Sequence, residues 1–172
     1  IFFLTILFSL PLGLLVCLGR MSKIKPVAWF FKFYISVMRG TPLMLQLFVV
    51  YFLPWYVFKI SLNLMGDDWL FVSVIMGFSL NYAAYFAEIY RSGIEAIPKG
   101  QIESAIALGM SYGQIFRKII LPQAVRIIIP PYINNSILLL KNSSLISVIT
   151  VADLMLNAQQ IYSVTYRPVE IL

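Results

Sequence analysis

Histidine is missing from all 172 residues, and cysteine occurs once, at Cys17, inside an apolar run. Without histidine the chain lacks the commonest general base and metal ligand. One cysteine allows no disulfide within the chain, and Cys17 reads as a small packing residue. No G-x-x-x-x-G-K-[ST] stretch occurs, which excludes a P-loop ATPase on this chain. Charge is scarce as well. Only 12% of the residues are charged, against about a quarter in a soluble domain. With 60% hydrophobic residues and a mean hydropathy of +0.88, there is too little polar surface for water, and the bilayer is the better solvent. The net charge of +6 could suggest nucleic acid, but in a membrane chain the distribution of charge matters more than its sum, and no nucleic-acid partner is expected.

What is present is a series of apolar runs. Ile1–Gly19 nearly spans a hydrocarbon core, with Pro11 and Gly13 as a kink. No basic region precedes it and a long basic stretch follows, which argues against a cleaved signal peptide. Arg20, Lys23, Lys25, Lys32 and Arg39 come next, so residues 20–39 are expected in the cytoplasm and the first helix runs inward. Leu43–Ile60 heads outward, with Trp55 and Tyr56 as interfacial anchors. Residues 61–68, "SLNLMGDD", read as an outer loop, and Trp69–Ala87 returns inward. From Glu88 to Arg126 basic residues exceed acidic ones, again matching a cytoplasmic face. A fourth span is expected from Ile127 to about Thr150. The last residues resemble the start of another apolar helix, and the first run begins abruptly, so a fifth span and an upstream extension are expected. The fold class is all-α: a polytopic membrane protein forming a single transmembrane domain over 1–172, with four visible transmembrane helices and a fifth implied.

The most polar long segment lies in the middle. Residues 95–123 predict a loop containing two short helices at the inner membrane face. Lys99–Leu108 is amphipathic, with Ile102, Ala105, Ile106 and Gly109 on one face. Gly109 interrupts it, since glycine weakens a helix interior and readily takes left-handed turns. Ser111 and Gln114 have capping-box spacing and start the second helix, which Pro122 is expected to end. From physics alone this is either an interfacial hairpin lying on lipid or a helix laid in a partner's groove.

Glu103-Ser104-Ala105, three residues, Gly109, nine residues, Ile119, one residue and Leu121-Pro122 together resemble the EAA loop of binding-protein-dependent ABC importer permeases, with Ser104 in place of the middle alanine. "RGTPLMLQLF" (Arg39 to Phe48), "NYAAYFAEIYRSGI" (Asn81 to Ile94), "GMSYGQIFRKIILPQAVR" (Gly109 to Arg126) and "LLKNSSLISVITVADL" (Leu139 to Leu154) resemble the polar amino acid uptake branch of that family, in family order. The resemblance implies cytoplasmic coupling helices seated in a groove on a separate ATP-binding subunit, with Glu103, Ala105, Gly109 and Pro122 as the coupling residues. ATP and Mg would be bound by that subunit, and no cofactor by this chain, which would be a transport subunit rather than an enzyme. An extracytoplasmic amino-acid-binding protein, a second permease chain (identical or not) and the lipid bilayer of a bacterial plasma (inner) membrane are the other implied partners.

Polar groups within a membrane are costly and mark functional sites. Lys141 is the only formal charge between Ile127 and Val151. It either snorkels to the interface or, with a helix broken at Pro130-Pro131, faces a cavity. There it would meet the carboxylate of an amino acid, while Asn135 and Asn142 offer carbonyl oxygens to the ammonium group. Asn81 and Tyr85 are further candidates, equally explained by packing hydrogen bonds. Relatives often carry acidic residues where this chain has Asn135 and Asn142, so a polar neutral amino acid such as glutamine or cystine is expected rather than a basic one. Two rival functions stand beside the permease. A gradient-driven secondary transporter would call for internal repeats and intramembrane carboxylates, neither of which is visible. A non-transporting membrane scaffold would leave uptake intact when removed.

Overall fold

The computed structural model describes residues 1–59 and 62–143. Every regular element among them is helical: α1 (Phe2–Arg20), α2 (Lys25–Gly40), α3 (Leu43–Phe58), α4 (Leu62–Glu95), α5 (Lys99–Ala107) and α6 (Tyr112–Ile115), then a π-helical turn, Phe116–Ile120, that runs directly into α7 (Leu121–Asn142). The all-α expectation holds. Two helices are long and apolar enough to cross a bilayer alone: α1, and the Asp68–Glu95 stretch of α4. A third crossing is reached if α2 and α3 count as one span bent by 112°. The expected fourth span is described only through residue 143, as part of α7. The expected fifth lies outside the described residues.

The central strut is α4. Small residues on α1 let the two backbones approach: Thr5, Ser9, Gly13 and Cys17, four residues apart, are all buried. A Cβ on Gly13 would stand 2.9 Å from Phe86 Cβ and 3.1 Å from the Ala83 carbonyl oxygen. Such close packing is what holds helices together where lipid gives no hydrophobic drive. The two helices run parallel, because Gly13 meets Ala83 and Phe86 while Arg20 lies 3.7 Å from Glu88. α3 runs antiparallel to α4: Trp69 Nε1 donates to the Tyr51 carbonyl at 3.1 Å, and Leu47 fills the space over Gly77. α7 is antiparallel too, with Tyr132 against Phe86 and Ile128 over Gly93. Phe78, Tyr82, Phe86 and Leu139 form the core between them.

Several expectations are corrected. Most of residues 20–39 build a helix of their own, α2, whose Pro26 sits in the first turn where its missing N–H costs nothing. The outer loop at 61–68 is absent from Leu62 onward, because α4 already begins there and continues past Ala87 to Glu95. Pro122 does not end a helix. It occupies the first turn of α7, and the preceding π turn, in which the Leu121 N–H reaches the Phe116 carbonyl, accommodates it. Pro130-Pro131 does not break α7 either. Side chains bond to carbonyls in this stretch, Asn135 Nδ2 to the Pro131 oxygen at 2.9 Å and Ser136 Oγ to the Tyr132 oxygen at 2.9 Å, as in other proline-bearing membrane helices.

Candidate functional site: a coupling hairpin and a polar cavity

Two places are candidates for function. The first is the hairpin at the charged end of the bundle. α5 ends in a Schellman motif: Gly109 has φ +76°, its N–H donates to the Ile106 carbonyl at 2.9 Å, and the Met110 N–H donates to the Ala105 carbonyl at 3.1 Å. Glycine suits the position after the C-cap because L residues pay to enter that region. Ser111 then closes a full capping box with Gln114, accepting from its backbone N–H while the Ser111 N–H donates to Oε1 at 2.9 Å. Local chemistry thus produces a sharp bend between α5 and α6. Ala105 and Ile115 point inward and are buried, while Glu103 and Gly109 are exposed. The expected single face is therefore split, with Ala105 facing its own chain and Ile106 the outside. Leu108 and Tyr112, at 82% and 80% exposure, stand out from the bend. Nothing lies within 4 Å of a Cβ built on Gly109. Pro122 is set back at the base of α7 and is exposed.

The hairpin is tied to the bundle. Gln123 Nε2 donates to Gln101 Oε1 of α5 at 2.7 Å and to the Ile119 carbonyl at 3.0 Å. At the same end of the bundle Arg91 pairs with Glu88 at 2.5 Å and with Glu95, and Glu88 also faces Arg20. These half-buried pairs hold the ends of α1 and α4 level, where positive charge dominates the sequence.

The second place is a cavity of about 100 Å³ beside residues 81–85 of α4. Four of the residues singled out from sequence meet there: Asn81, Tyr85, Asn135 and Asn142. Each is held. Asn81 Nδ2 donates to the Met38 carbonyl at 3.0 Å and to Gln46 Oε1 at 2.9 Å, so its amide nitrogen serves the α2–α3 corner. Asn142 Nδ2 donates to the Tyr82 hydroxyl at 3.0 Å. Lys141 does not line the cavity and is exposed: one residue before Asn142 in a continuous helix, it is turned about 100° away.

Sequence reasoning missed four members of this region. Tyr82 and Thr41 line the cavity. Gln46 Nε2 donates to Thr41 Oγ1 at 2.6 Å and to the Met38 carbonyl at 3.0 Å, fastening the corner. Arg39, expected in the cytoplasm, lies with its guanidinium 5.3 Å from the Tyr85 ring centre. The signal was in "RGTP": Gly40 and Pro42 flank a helix break, and α3 starts at Leu43 with Pro42 at its N-cap. A half-helix therefore opens its positive end beside the cavity. No carboxylate lines it among the described residues.

The family model described as binding-protein-dependent transport system inner membrane component matches residues 9–169. The L-cystine transport system permease protein TcyB of Bacillus subtilis (strain 168) is 42% identical over 158 residues, 92% of this chain and 64% of its own. The arginine transport system permease protein ArtQ of the same organism is 43% identical over 166 residues, 94% of this chain and 71% of its own. The chain therefore spans somewhat under two thirds of the length of TcyB. The crystal structure of an amino acid ABC transporter with histidines superposes with a TM-score of 0.83 at 39% identity, covering 96% of this chain and 74% of that one. The chain is a membrane-embedded member of the binding-protein-dependent transport system inner membrane component family, akin to its amino acid permeases.

Proposed function

We propose that the chain is the translocating subunit of an ATP-driven amino acid importer in a bacterial plasma membrane. In this reading the α5–α6 hairpin is the coupling element for a cytoplasmic ATP-binding subunit that holds ATP and Mg. An extracytoplasmic binding protein delivers the amino acid, and a second permease chain completes the path. The observation that carries the reading is the hairpin: a bend set by Gly109 and the Ser111 capping box presents Leu108 and Tyr112 to the outside at the basic end of the bundle. Exposed apolar groups on a rigid bend suit a groove on a partner. Glu103 and Gly109 would face that groove, with Ala105 supporting the hairpin from within and Pro122 at its base.

Substrate would meet the cavity of Asn81, Tyr85, Asn135 and Asn142. The positive end of α3 and Arg39 supply attraction for its carboxylate, and the amide oxygens suit its ammonium group. Lys141, exposed on the neighbouring face of α7, would join only from a path shared with the second chain. A basic side chain would find no lining carboxylate among the described residues, which supports a polar neutral substrate such as glutamine or cystine. TcyB and ArtQ are nearly equal in identity yet are named for different amino acids, so overall likeness does not choose between them and the substrate reading rests on the cavity.

The test is co-purification. The tagged protein, extracted from its native host in mild detergent with and without Gly109→Asp, should bring down an ATP-binding subunit that the variant loses. ATPase activity of the parent complex should then rise with glutamine or cystine more than with arginine. If no ATPase accompanies either form under conditions that preserve a known importer, the coupling reading fails and a gradient-driven transporter takes its place.

A further inference from the structure

α2 is amphipathic in a way the translocation path does not use. Its inner face is committed: Ile35 is buried against Val16, Cys17, Ala84 and Ala87, and the Tyr34 hydroxyl donates to the Leu80 carbonyl at 2.6 Å. Its outer face is not. Trp29, Phe30 and Phe33 are 57–68% exposed, and Trp29 stacks on Phe33 with ring centres 5.9 Å apart and planes 14° from parallel. Beside this aromatic face, one and two turns apart on the helical wheel, run Lys25, Lys32 and Ser36, all exposed. Lys23 precedes them.

The placement of α2 fits the edge of a bilayer. It starts just after Arg20, whose neighbour Glu88 belongs to the charged end of α4, and Phe31 packs over Gly19. It does not continue the line of α3, from which it departs by 112°. Residues 21–40 contain no aspartate or glutamate, and none of the described ion pairs involves Lys23, Lys25 or Lys32. Glu88 and Glu95, at the charged end of α4, are taken by arginines. This leaves a basic edge without an ion-pair partner among the described residues, set against an aromatic face.

We propose that the N-terminal half of α2 is a recognition surface for anionic phospholipid on the cytoplasmic leaflet. Lys25 and Lys32 hold headgroup phosphates, while the Trp29–Phe33 pair sinks among the upper acyl chains. Charge complementarity favours lipid over a protein groove here: lysines snorkel from an apolar face to the headgroups, and each gains from the negative surface potential of that leaflet. The surface needs only a bilayer and is independent of the cargo.

The experiment starts from the tagged protein with whatever subunits accompany it, reconstituted into phosphatidylcholine vesicles containing a quarter phosphatidylglycerol. Retained lipids are identified by native mass spectrometry after mild extraction. Phosphatidylglycerol should be enriched over its share in the vesicle. Lys25→Gln with Lys32→Gln should reduce that enrichment on the order of tenfold, and Lys25→Arg with Lys32→Arg should keep it. Trp29 fluorescence, isolated by comparison with Trp29→Phe, should be quenched by phosphatidylcholine brominated near the headgroup end of its chains. No enrichment in the parent, or equal enrichment in the glutamine variant, overturns the proposal. Trp29 emission untouched by the brominated lipid also overturns it, since a protein partner would then cover the face. Co-purification of an ATPase is read separately, so the lipid surface can fail while the permease reading stands.

Discussion

The Gln123–Gln101 bridge offers a direct measure of how firmly the α5–α6 hairpin is held. Gln123 Nε2 donates both across to α5, at 2.7 Å, and down to the Ile119 carbonyl, at 3.0 Å. A neutral hydrogen bond contributes about 0.5–1.5 kcal/mol net. Gln101 is exposed, so its bond belongs near the lower end, about 0.5–1 kcal/mol, or about a two- to fivefold change in the population of an opened α5. Gln101→Ala should raise the rate of tryptic cleavage after Lys99 by that factor under native conditions, where cleavage tracks local opening. Gln123→Ala should raise it as much or more, because Ile119 also loses a donor. The double variant should be no faster than Gln123→Ala alone, leaving an interaction energy of about 0.5–1 kcal/mol. If the two effects multiply in the double variant, the bridge does not exist in solution and the hairpin is held by apolar packing alone.

Other substitutions separate conformation from contact. At Gly109 the cost of a side chain is in the backbone, since φ is +76° and nothing lies within 4 Å. Gly109→Asn should keep most of the co-purifying ATP-binding subunit, and Gly109→Val should lose most of it, because asparagine tolerates the left-handed region and a β-branched residue does not; equal losses would place the partner's surface directly against this residue. Gly13→Leu should cost about 1–3 kcal/mol by overpacking, because its Cβ would already press on Phe86 and the Ala83 carbonyl, and the thermal midpoint in detergent should fall by several degrees. Asn142→Asp places a carboxylate in a cavity that has none among its lining residues; amino-acid-stimulated ATPase should shift toward arginine, and an unchanged preference would put specificity outside this cavity.

What was legible in the sequence was local. Gly109, Ser111 and Gln114 act through bonds to residues within five positions, so spacing sufficed to foresee both short helices and the bend. Apolar runs announced α1, α3 and α4 for the same reason. The two proline errors come from applying a local rule where nearby geometry overrides it. Pro122 is absorbed by a π turn begun six residues earlier, and Pro130-Pro131 sits in a helix where Asn135 and Ser136 bond to neighbouring carbonyls.

The site itself depends on contacts between residues far apart in sequence, and here the reading divides. Asn81, Tyr85, Asn135 and Asn142 could be named because a polar group in an apolar run is conspicuous wherever the chain goes. Which of them face one another could not be read, because that follows from α7 running antiparallel to α4. Arg39 was out of reach for the same reason. The positive-inside rule counts charges over a segment and does not say what each one meets. The Gly40–Pro42 break brings Arg39 to the ring of Tyr85, three residues before Glu88 on α4. Lys141 was favoured for the same conspicuousness that revealed its neighbours, and one helical step was enough to turn it away. A cation for the substrate carboxylate is then better sought at a helix break than within a regular span. A break offers a backbone dipole together with the side chain, and Gln46 and Asn81 hold the corner with five hydrogen bonds to Met38, Thr41 and each other. Gln46→Leu should therefore weaken substrate binding without lining the cavity, by releasing that corner, and an unaltered apparent affinity in amino-acid-stimulated ATPase would show that the corner plays no part in holding the substrate.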